Sequence, residues 1–164
     1  MPASLPDANA LITRLADAIA PTLTPDTFIV GIHTGGVWVA ERLHALLKCT
    51  QPLGTLDISF YRDDFSRIGL HPQVKPSNLP FDLEGRDILL VDDVLHSGRT
   101  VRAAMNELFD YGRPASIRLA VLVDRGGREL PLCPDFCGLT LDIPPQQNVQ
   151  LRRNEQGQLS LTLA

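Results

Sequence analysis

The positions of apolar residues along the chain follow two different periods, and each period predicts a type of secondary structure. Between residues 8 and 20 the apolar side chains are spaced by three and one positions, which is one face of a helix. Asp7 stands where a helix-capping residue belongs. The β-branched run Thr27–Ile32 predicts a strand, and residues 39–47 return to helical spacing after a glycine turn. The first third of the chain therefore predicts helix, strand, turn and helix.

The middle of the chain repeats this alternation. Residues 53–60 alternate apolar with polar side chains, as a half-buried strand does. Residues 87–91 are almost all apolar, which is typical of a strand inside a parallel sheet. Residues 100–111 have helical spacing, and residues 117–123 predict another buried strand. Strands that alternate with helices predict an α/β fold with a mostly parallel central sheet and flanking helices.

Two segments depart from this pattern. Residues 61–80 contain Pro72, Pro76 and Pro80 and have no periodicity, which is typical of a flexible lid loop. At the end of the chain, residues 149–151 and 159–161 predict a hairpin around a polar turn. In a parallel sheet, ligands bind at the carboxyl ends of the strands, so we expect the functional residues there.

Composition limits the classes of protein that fit. The chain has 164 residues, of which 44% are apolar and 21% charged, so residues 1–164 predict a single globular domain. The sequence has neither a membrane-spanning run nor a signal peptide, which predicts a cytoplasmic protein without a membrane partner. The net charge of −4 and the presence of only two lysines argue against broad, non-specific binding of nucleic acid.

The three cysteines do not indicate a structural site. An odd number argues against a disulfide framework. Cys133 and Cys137 have the spacing of half a zinc site, but a second pair of closely spaced ligands is missing. We interpret the cysteines as small apolar side chains.

The most informative segment is residues 88–100, where an apolar strand leads into two acids, a short loop and a helix. Ser97, Gly98 and Thr100 stand in the loop and the first turn of the predicted helix. Unpaired backbone N–H groups at a helix N-terminus attract anions, and glycine allows an anion to approach closely. This arrangement predicts a phosphate site to which the two hydroxyl groups contribute.

Asp92 and Asp93 precede that loop. Neighbouring residues of a strand point to opposite faces, so we expect the strand to end at these acids, which lets both act together. Two adjacent carboxylates repel each other, and hydrogen bonds from a diol or a nearby Mg²⁺ relieve the repulsion. A ribose phosphate supplies both kinds of partner. A helix cap and a receiver-type phosphoacceptor site are alternatives, but a receiver acid is expected near the start of a chain.

The segment resembles the 5-phosphoribosyl 1-diphosphate (PRPP) motif of the type I phosphoribosyltransferases. Four further blocks, in the same order along the chain, resemble the PyrR family of pyrimidine-operon regulators, which also act as uracil phosphoribosyltransferases. The resemblance covers roughly residues 27–138 and implies the type I phosphoribosyltransferase fold, with a lid loop and a small hood that ends in a hairpin. The four blocks are residues 31–36, 56–65, 111–117 and 122–131.

The resemblance also implies roles for individual residues. Asp92 and Asp93 hold the ribose hydroxyls and contact Mg²⁺ indirectly, through those hydroxyls or water. Thr34 and Gly35 touch pyrophosphate, and Arg62 in the lid stabilises pyrophosphate as it leaves, unless it is a solvated surface arginine. The other motif residues that bind substrate are Val94, Leu95, His96, Ser97, Gly98, Arg99 and Thr100, of which the last five surround the 5′-phosphate.

Arg125 and Val149 belong to the implied base site, where Arg125 frames the uracil and Val149 presents backbone groups to it. A purely structural role is the alternative for each. Where the family usually reads Lys-Thr-Arg-Gly, this chain reads His-Thr-Gly-Gly at residues 33–36, so one cationic contact is missing and we expect weaker catalysis. Residues 132–150 contain no Lys or Arg, and we therefore expect weak binding of RNA.

The function that we predict is the conversion of uracil and PRPP to UMP and pyrophosphate, with Mg²⁺ as cofactor. The PyrR resemblance adds a UMP-responsive role in regulating pyrimidine genes, with an operon leader RNA as partner, and a homo-oligomeric state. Two alternatives stay open. One is an RNA-binding attenuation regulator that senses UMP or UTP with weak or no catalysis, and the other is a purine phosphoribosyltransferase.

Overall fold

The computed structural model describes residues 4–58 and 77–164 and contains three α-helices and seven strands in that part of the chain. None of the helices there is long and apolar enough to cross a membrane. The helices are α1 (Ala8–Ile19), followed by a 3₁₀ turn (Ala20–Thr22), α2 (Gly35–Leu46) and α3 (Arg99–Tyr111). The strands are β1 (Thr27–Ile32), β2 (Gly54–Leu56), β3 (Asp87–Leu95), β4 (Ser116–Asp124), β5 (Phe136–Thr140), β6 (Val149–Arg153) and β7 (Leu159–Leu163).

The central sheet has five strands in the order β2-β1-β3-β4-β5, and every neighbouring pair is parallel. This confirms the predicted parallel sheet. The order reverses between β1 and β3, and at such a switch point the two following loops diverge and leave a crevice at the carboxyl ends of the strands. Strands β6 and β7 form a separate antiparallel hairpin, which confirms the predicted hairpin.

Each face of the sheet has its own hydrophobic core. On one face Leu89 and Val91 pack with α1, α2 and the hairpin. On the other face Ile88 and Leu90 pack with α3. Successive residues of a strand point to opposite faces, so covering both faces requires apolar side chains at every position. This explains why β3 begins as a nearly continuous apolar run.

Two local predictions have different outcomes. The side chain of Asp7 accepts a hydrogen bond from the Ala10 N–H at 3.2 Å, which confirms the predicted cap. The predicted strand over residues 53–60 is shorter and ends at Leu56. The reason is that the Asp57 N–H donates to the side-chain oxygen of Ser77 at 2.9 Å and not to a neighbouring strand. Residues 59–76, with most of the predicted lid, lie outside the described part of the chain.

The prediction that the third strand ends at the two acids is wrong. β3 continues to Leu95 because β4 runs beside it, with Asp92 opposite Val121 and Leu95 opposite Asp124. The alternation of faces is interrupted instead. Val94 packs against the same core as Val91, although residues three positions apart in a regular strand face opposite sides. This shift allows both acids to face one cavity within a continuous strand.

A loop after β4, residues 125–132, supports the loop after β3. Three consecutive carbonyl oxygens of residues 95–97 accept hydrogen bonds from it, and they therefore do not face the crevice. The bonds run from the Arg125 N–H to Leu95 (3.0 Å), from the Arg128 guanidinium to His96 (2.8 Å), and from the Glu129 and Leu130 N–H groups to Ser97 (2.9 and 3.1 Å).

Asp124 fixes this supporting loop at its start. Its carboxylate accepts hydrogen bonds from the Arg128 guanidinium at 2.7 Å and from the Gly126 N–H at 3.0 Å. Burial alone would raise the pKa of Asp124, but these two bonds and the charge of Arg128 together lower the pKa below its ordinary value. The folded structure therefore favours the ionised carboxylate.

Replacing Leu89 tests the packing of the sheet. Leu89 is fully buried at the centre of the sheet, whereas Leu46 on α2 is 50% exposed. We expect Leu89→Ala to lower the free energy of unfolding by about 2–5 kcal/mol. Leu46→Ala, the matched control, should change it by less than about 0.5 kcal/mol. Urea unfolding followed by circular dichroism measures both, and equal losses would contradict this description of the core.

Replacing Asp124 tests the supporting loop through pH. Because the folded pKa lies below the unfolded pKa, the unfolded chain binds more protons, and the contribution of Asp124 to stability disappears as the pH falls through the folded pKa. We expect Asp124→Asn to destabilise the protein at about pH 6, with the difference from the wild type shrinking below about pH 4. Asp17→Asn, at an exposed position of α1, is the control. A difference that stays constant with pH would exclude this ion pair.

Candidate functional site

A cavity of about 730 Å³ lies at the carboxyl edge of the sheet, where β1 and β3 end. Five parts of the chain form its walls: the turn between β1 and α2, Ile58 after β2, the end of β3, the first turns of α3, and the start of β6 with Asn148 before it. Its position is the switch point between β1 and β3, where parallel α/β sheets bind their ligands.

The loop between β3 and α3 forms a small recess beside the main cavity, with a volume of about 50 Å³. Gly98 precedes α3 with a φ of 96°, in the left-handed region that favours glycine. Among the described residues the backbone N–H groups of Ser97 and Gly98 have no partner, whereas the carbonyl oxygens of residues 95–97 accept hydrogen bonds from residues 125–130. With the N-terminus of α3 at the same place, this recess has the geometry of an anion site.

The two carboxylates at the end of β3 are each fixed by the backbone. Asp92 is 5% exposed, and one of its oxygens accepts a hydrogen bond from the Asp93 N–H at 2.8 Å. One oxygen of Asp93 accepts from the Val94 N–H at 2.7 Å. Both acids line the main cavity. The pair is therefore held rigidly, as a site for a diol requires.

Gly35 and Gly36 lie in the first turn of α2 and not in the turn before it. A Cβ atom on Gly35 would stand 2.0 Å from a carboxylate oxygen of Asp93, and one on Gly36 would stand 2.7 Å from the carbonyl oxygen of Val91. A side chain at either position would force a neighbour to move, the Asp93 carboxylate at residue 35 and the backbone of β3 at residue 36. With Asp93 in this position, the arginine that the family usually carries at residue 35 does not fit.

The structure brings most of the predicted site residues together. Arg99 is among them, and its guanidinium also pairs with Glu129 at 2.6 Å. The predicted residues that line the main cavity are Thr34, Gly35, Asp92, Asp93, Val94, Ser97, Arg99, Thr100 and Val149, and the recess adds Leu95, His96 and Gly98. Their contacts with substrate stay predictions.

One predicted site residue is placed differently. Arg125 is 5% exposed and is not part of the cavity wall; its guanidinium bonds to residues 144–148, behind that wall. The structure therefore does not support direct contact between Arg125 and a base. Arg62 lies outside the described residues.

Several residues of the cavity wall were not predicted from the sequence. Arg102 and Asn106 follow Arg99 at helical spacing on α3, so extending the motif by two helical turns could have found them. Asn148 had no such signal, because only the folded hairpin brings it to β3. The residues missed are His33, Ile58, Arg102, Ala103, Asn106 and Asn148.

The acids of the cavity suit a metal that arrives with its substrate. Within the described residues no cluster of three or more His, Cys, Asp or Glu side chains could hold a metal ion. Mg²⁺ keeps several waters and is usually bound through one or two carboxylates together with substrate phosphates. Asp92 and Asp93 fit that mode of binding, and they do not form a metal cage of their own.

Comparison with known proteins agrees with this geometry. Residues 3–148 match the family model of the phosphoribosyl transferase domain. The bifunctional protein PyrR of Nitrosococcus oceani is 59% identical over 153 residues, covering 92% of this chain and 86% of the relative. The PyrR protein of Pseudomonas paraeruginosa is 55% identical over 152 residues, covering 90% of this chain and 89% of the relative.

Solved structures show the same fold at low sequence identity. A hypoxanthine-guanine phosphoribosyltransferase from Bacillus anthracis superposes with a TM-score of 0.67 at 19% identity, covering 88% of this chain and 85% of that one. A purine phosphoribosyltransferase from Pyrococcus horikoshii gives 0.61 at 23% identity, covering 82% and 83%. The predicted type I phosphoribosyltransferase fold is thereby confirmed, and with the extensive identity to PyrR proteins these findings place the chain in the PyrR family of phosphoribosyltransferases.

Proposed function

We propose that the main cavity binds PRPP and uracil and converts them to UMP and pyrophosphate. The observation that carries this proposal is that an anion recess lies beside a cavity with a fixed pair of carboxylates, and that Ser97 and Thr100 line both. A 5-phosphoribosyl group carries a phosphate, which suits the recess, and a diol, which suits the two carboxylates. The predicted enzyme class, a phosphoribosyltransferase, is confirmed by the family match.

The chain's own residues bind and orient the substrate in this proposal. The recess before α3 holds the 5′-phosphate, and Asp92 and Asp93 accept hydrogen bonds from the ribose hydroxyls. The reaction passes through an oxocarbenium-like state in which negative charge grows on the departing pyrophosphate. Thr34 and Gly35 stand at the N-terminus of α2, whose positive end stabilises that charge.

Mg²⁺ is the cofactor that this site fits. Bound with PRPP, it would neutralise part of the charge on the pyrophosphate. Asp92 and Asp93 contribute by accepting hydrogen bonds from ribose hydroxyls or from water around the ion. The chain supplies no covalent nucleophile in this scheme, and Ser97 serves as a hydrogen-bond donor to phosphate.

A second role, binding of an operon leader RNA under control by UMP, follows from the family, whose members are named bifunctional. Several of the arginines that could contact RNA have partners within the protein. Arg42 donates to Asn9 and Gly157, Arg152 donates to Gln150 and Thr162, and Arg153 stacks on Trp38 at 4.8 Å. We therefore propose that the protein binds RNA weakly.

Several other expectations stay predictions. They are the single domain over residues 1–164, the homo-oligomer, the cytoplasmic location, the lid with Arg62, and UTP as a second nucleotide ligand. The purine alternative has no specific support, because the purine-specific enzymes in the comparison are less than 25% identical and show only the fold.

Pyrophosphate release tests the proposed reaction and the role of the acids. With PRPP and Mg²⁺, we expect turnover with uracil and none with hypoxanthine or guanine. Asp92→Asn and Asp93→Asn should each lower kcat/KM by about tenfold or more, because each removes a charge-assisted hydrogen bond to the ribose. The asparagine oxygen can still accept from the backbone, so both variants should fold.

The matched control is Asp110→Asn, an exposed position at the far end of α3, which should leave kcat/KM unchanged. Turnover with a purine in place of uracil would support the purine alternative. Nearly normal rates for both active-site variants at saturating Mg²⁺ would show that the ribose binds elsewhere.

Titration with a pyrimidine-operon leader RNA tests the second role. Because the arginines are spread over the surface and several of them have partners within the protein, few phosphates are neutralised together, and the affinity and its dependence on salt should both be small. We expect weak binding at about 0.15 M salt, while UMP binding persists. Nanomolar binding that UMP strengthens would show that this surface has been misjudged.

A further inference from the structure

Arg125 supports the loop that leads into the hairpin. Its guanidinium donates to the backbone carbonyls of Pro144 and Gln147 and, at 2.8 Å, to the side-chain oxygen of Asn148. The side chain is 5% exposed, and its Nε has no hydrogen-bond partner among the described residues. A buried arginine with three bonds to one loop fixes that loop in place.

This contact also fixes the orientation of the Asn148 amide. Arginine can only donate hydrogen bonds, so the amide atom that faces Arg125 must be the oxygen. The amide NH₂ group is therefore on the other side. The Asn148 backbone is fixed as well, since its N–H and carbonyl both pair with Ala164 at 2.8 Å. Asn148 consequently directs its amide N–H donors away from Arg125, from a rigid backbone position.

Asn148 is part of the main cavity wall, next to Val149 and across from α3. In the proposed function the 5′-phosphate occupies the recess before α3 and the ribose contacts Asp92 and Asp93. The base then extends toward the start of β6. A donor at this wall meets the edge of the base that is distant from the ribose, which in uracil carries the O4 carbonyl.

We infer that Asn148 determines the specificity for the base by donating its amide N–H to the O4 carbonyl of uracil, and that Arg125 is the positioning residue that orients this amide. The inference rests on the proposed function and identifies the chemistry of the base. Cytosine carries an amino group at this position, so two donors would face each other and the Asn148 amide would lack an acceptor. A keto base is thus accepted and an amino base rejected.

Binding of UMP and CMP, measured by calorimetry, tests the inference directly. The wild type should bind UMP about tenfold or more tightly than CMP, because one hydrogen bond is replaced by an unpaired donor. Asn148→Asp keeps the oxygen that faces Arg125 but replaces the amide donors by an acceptor. We expect this variant to lose the preference for UMP, while its affinity for PRPP is unchanged.

The matched control is Gln147→Glu, the same amide-to-acid change at the neighbouring exposed residue, whose backbone alone contacts Arg125. It should keep the preference for UMP. Arg125→Lys retains the charge but cannot bond to the loop and the amide together, so we expect a smaller UMP preference with unchanged PRPP affinity. A preference that survives in Asn148→Asp overturns the inference, whatever the behaviour of Arg125→Lys.

Turnover separates this inference from the proposed function. In the reaction, Asn148→Asp should raise the KM for uracil by about tenfold or more and leave the KM for PRPP unchanged. If Asn148→Asp loses the wild-type preference for UMP over CMP but the wild type does not convert uracil, the proposed function fails and the inference stands. If uracil is converted and the variant still prefers UMP, the inference alone fails.

Discussion

A loop can bind an anion through its backbone only if its N–H groups face the ligand and its carbonyl oxygens find partners elsewhere. In this protein residues 125–130 supply those partners to the three carbonyls of residues 95–97. The N–H groups before α3 are left to face the crevice, together with the N-terminus of that helix. The phosphate recess, and with it the proposed chemistry, depends on this single set of contacts.

The same supporting loop connects both ends of the cavity. Arg128 bonds to His96 at the phosphate end, and Arg125 bonds to Asn148 at the end where we place the base. Both arginines lie in the loop that follows β4. β4 runs beside the two acids of β3, so it also positions the cavity walls around those acids. A displacement of this loop would alter phosphate and base recognition together.

In the proposed function, the positive potential that attracts the charged substrate comes from two helix N-termini together with Arg99 and Arg102, which line the cavity. α2 and α3 both begin at the cavity, and each presents the positive end of its dipole and unpaired N–H groups. Gly35 fits this arrangement, since any side chain there would displace Asp93. The missing arginine is thus linked to the position of an acid of the site.

The sequence by itself determined the elements whose contacts are local. Helical spacing located α1 and α3, apolar runs located β1 and β3, and the glycine, hydroxyl and acid residues of positions 92–100 indicated the phosphate site.

Only the tertiary structure decided features that depend on distant segments. β3 continues past its acids because β4 pairs with it, Arg125 turns away from the cavity toward residues 144–148, and Asn148 reaches the cavity through the hairpin. Periodicity and motifs report on neighbours in the chain, whereas these contacts join residues far apart in it, and the packing of the sheet and hairpin fixes them.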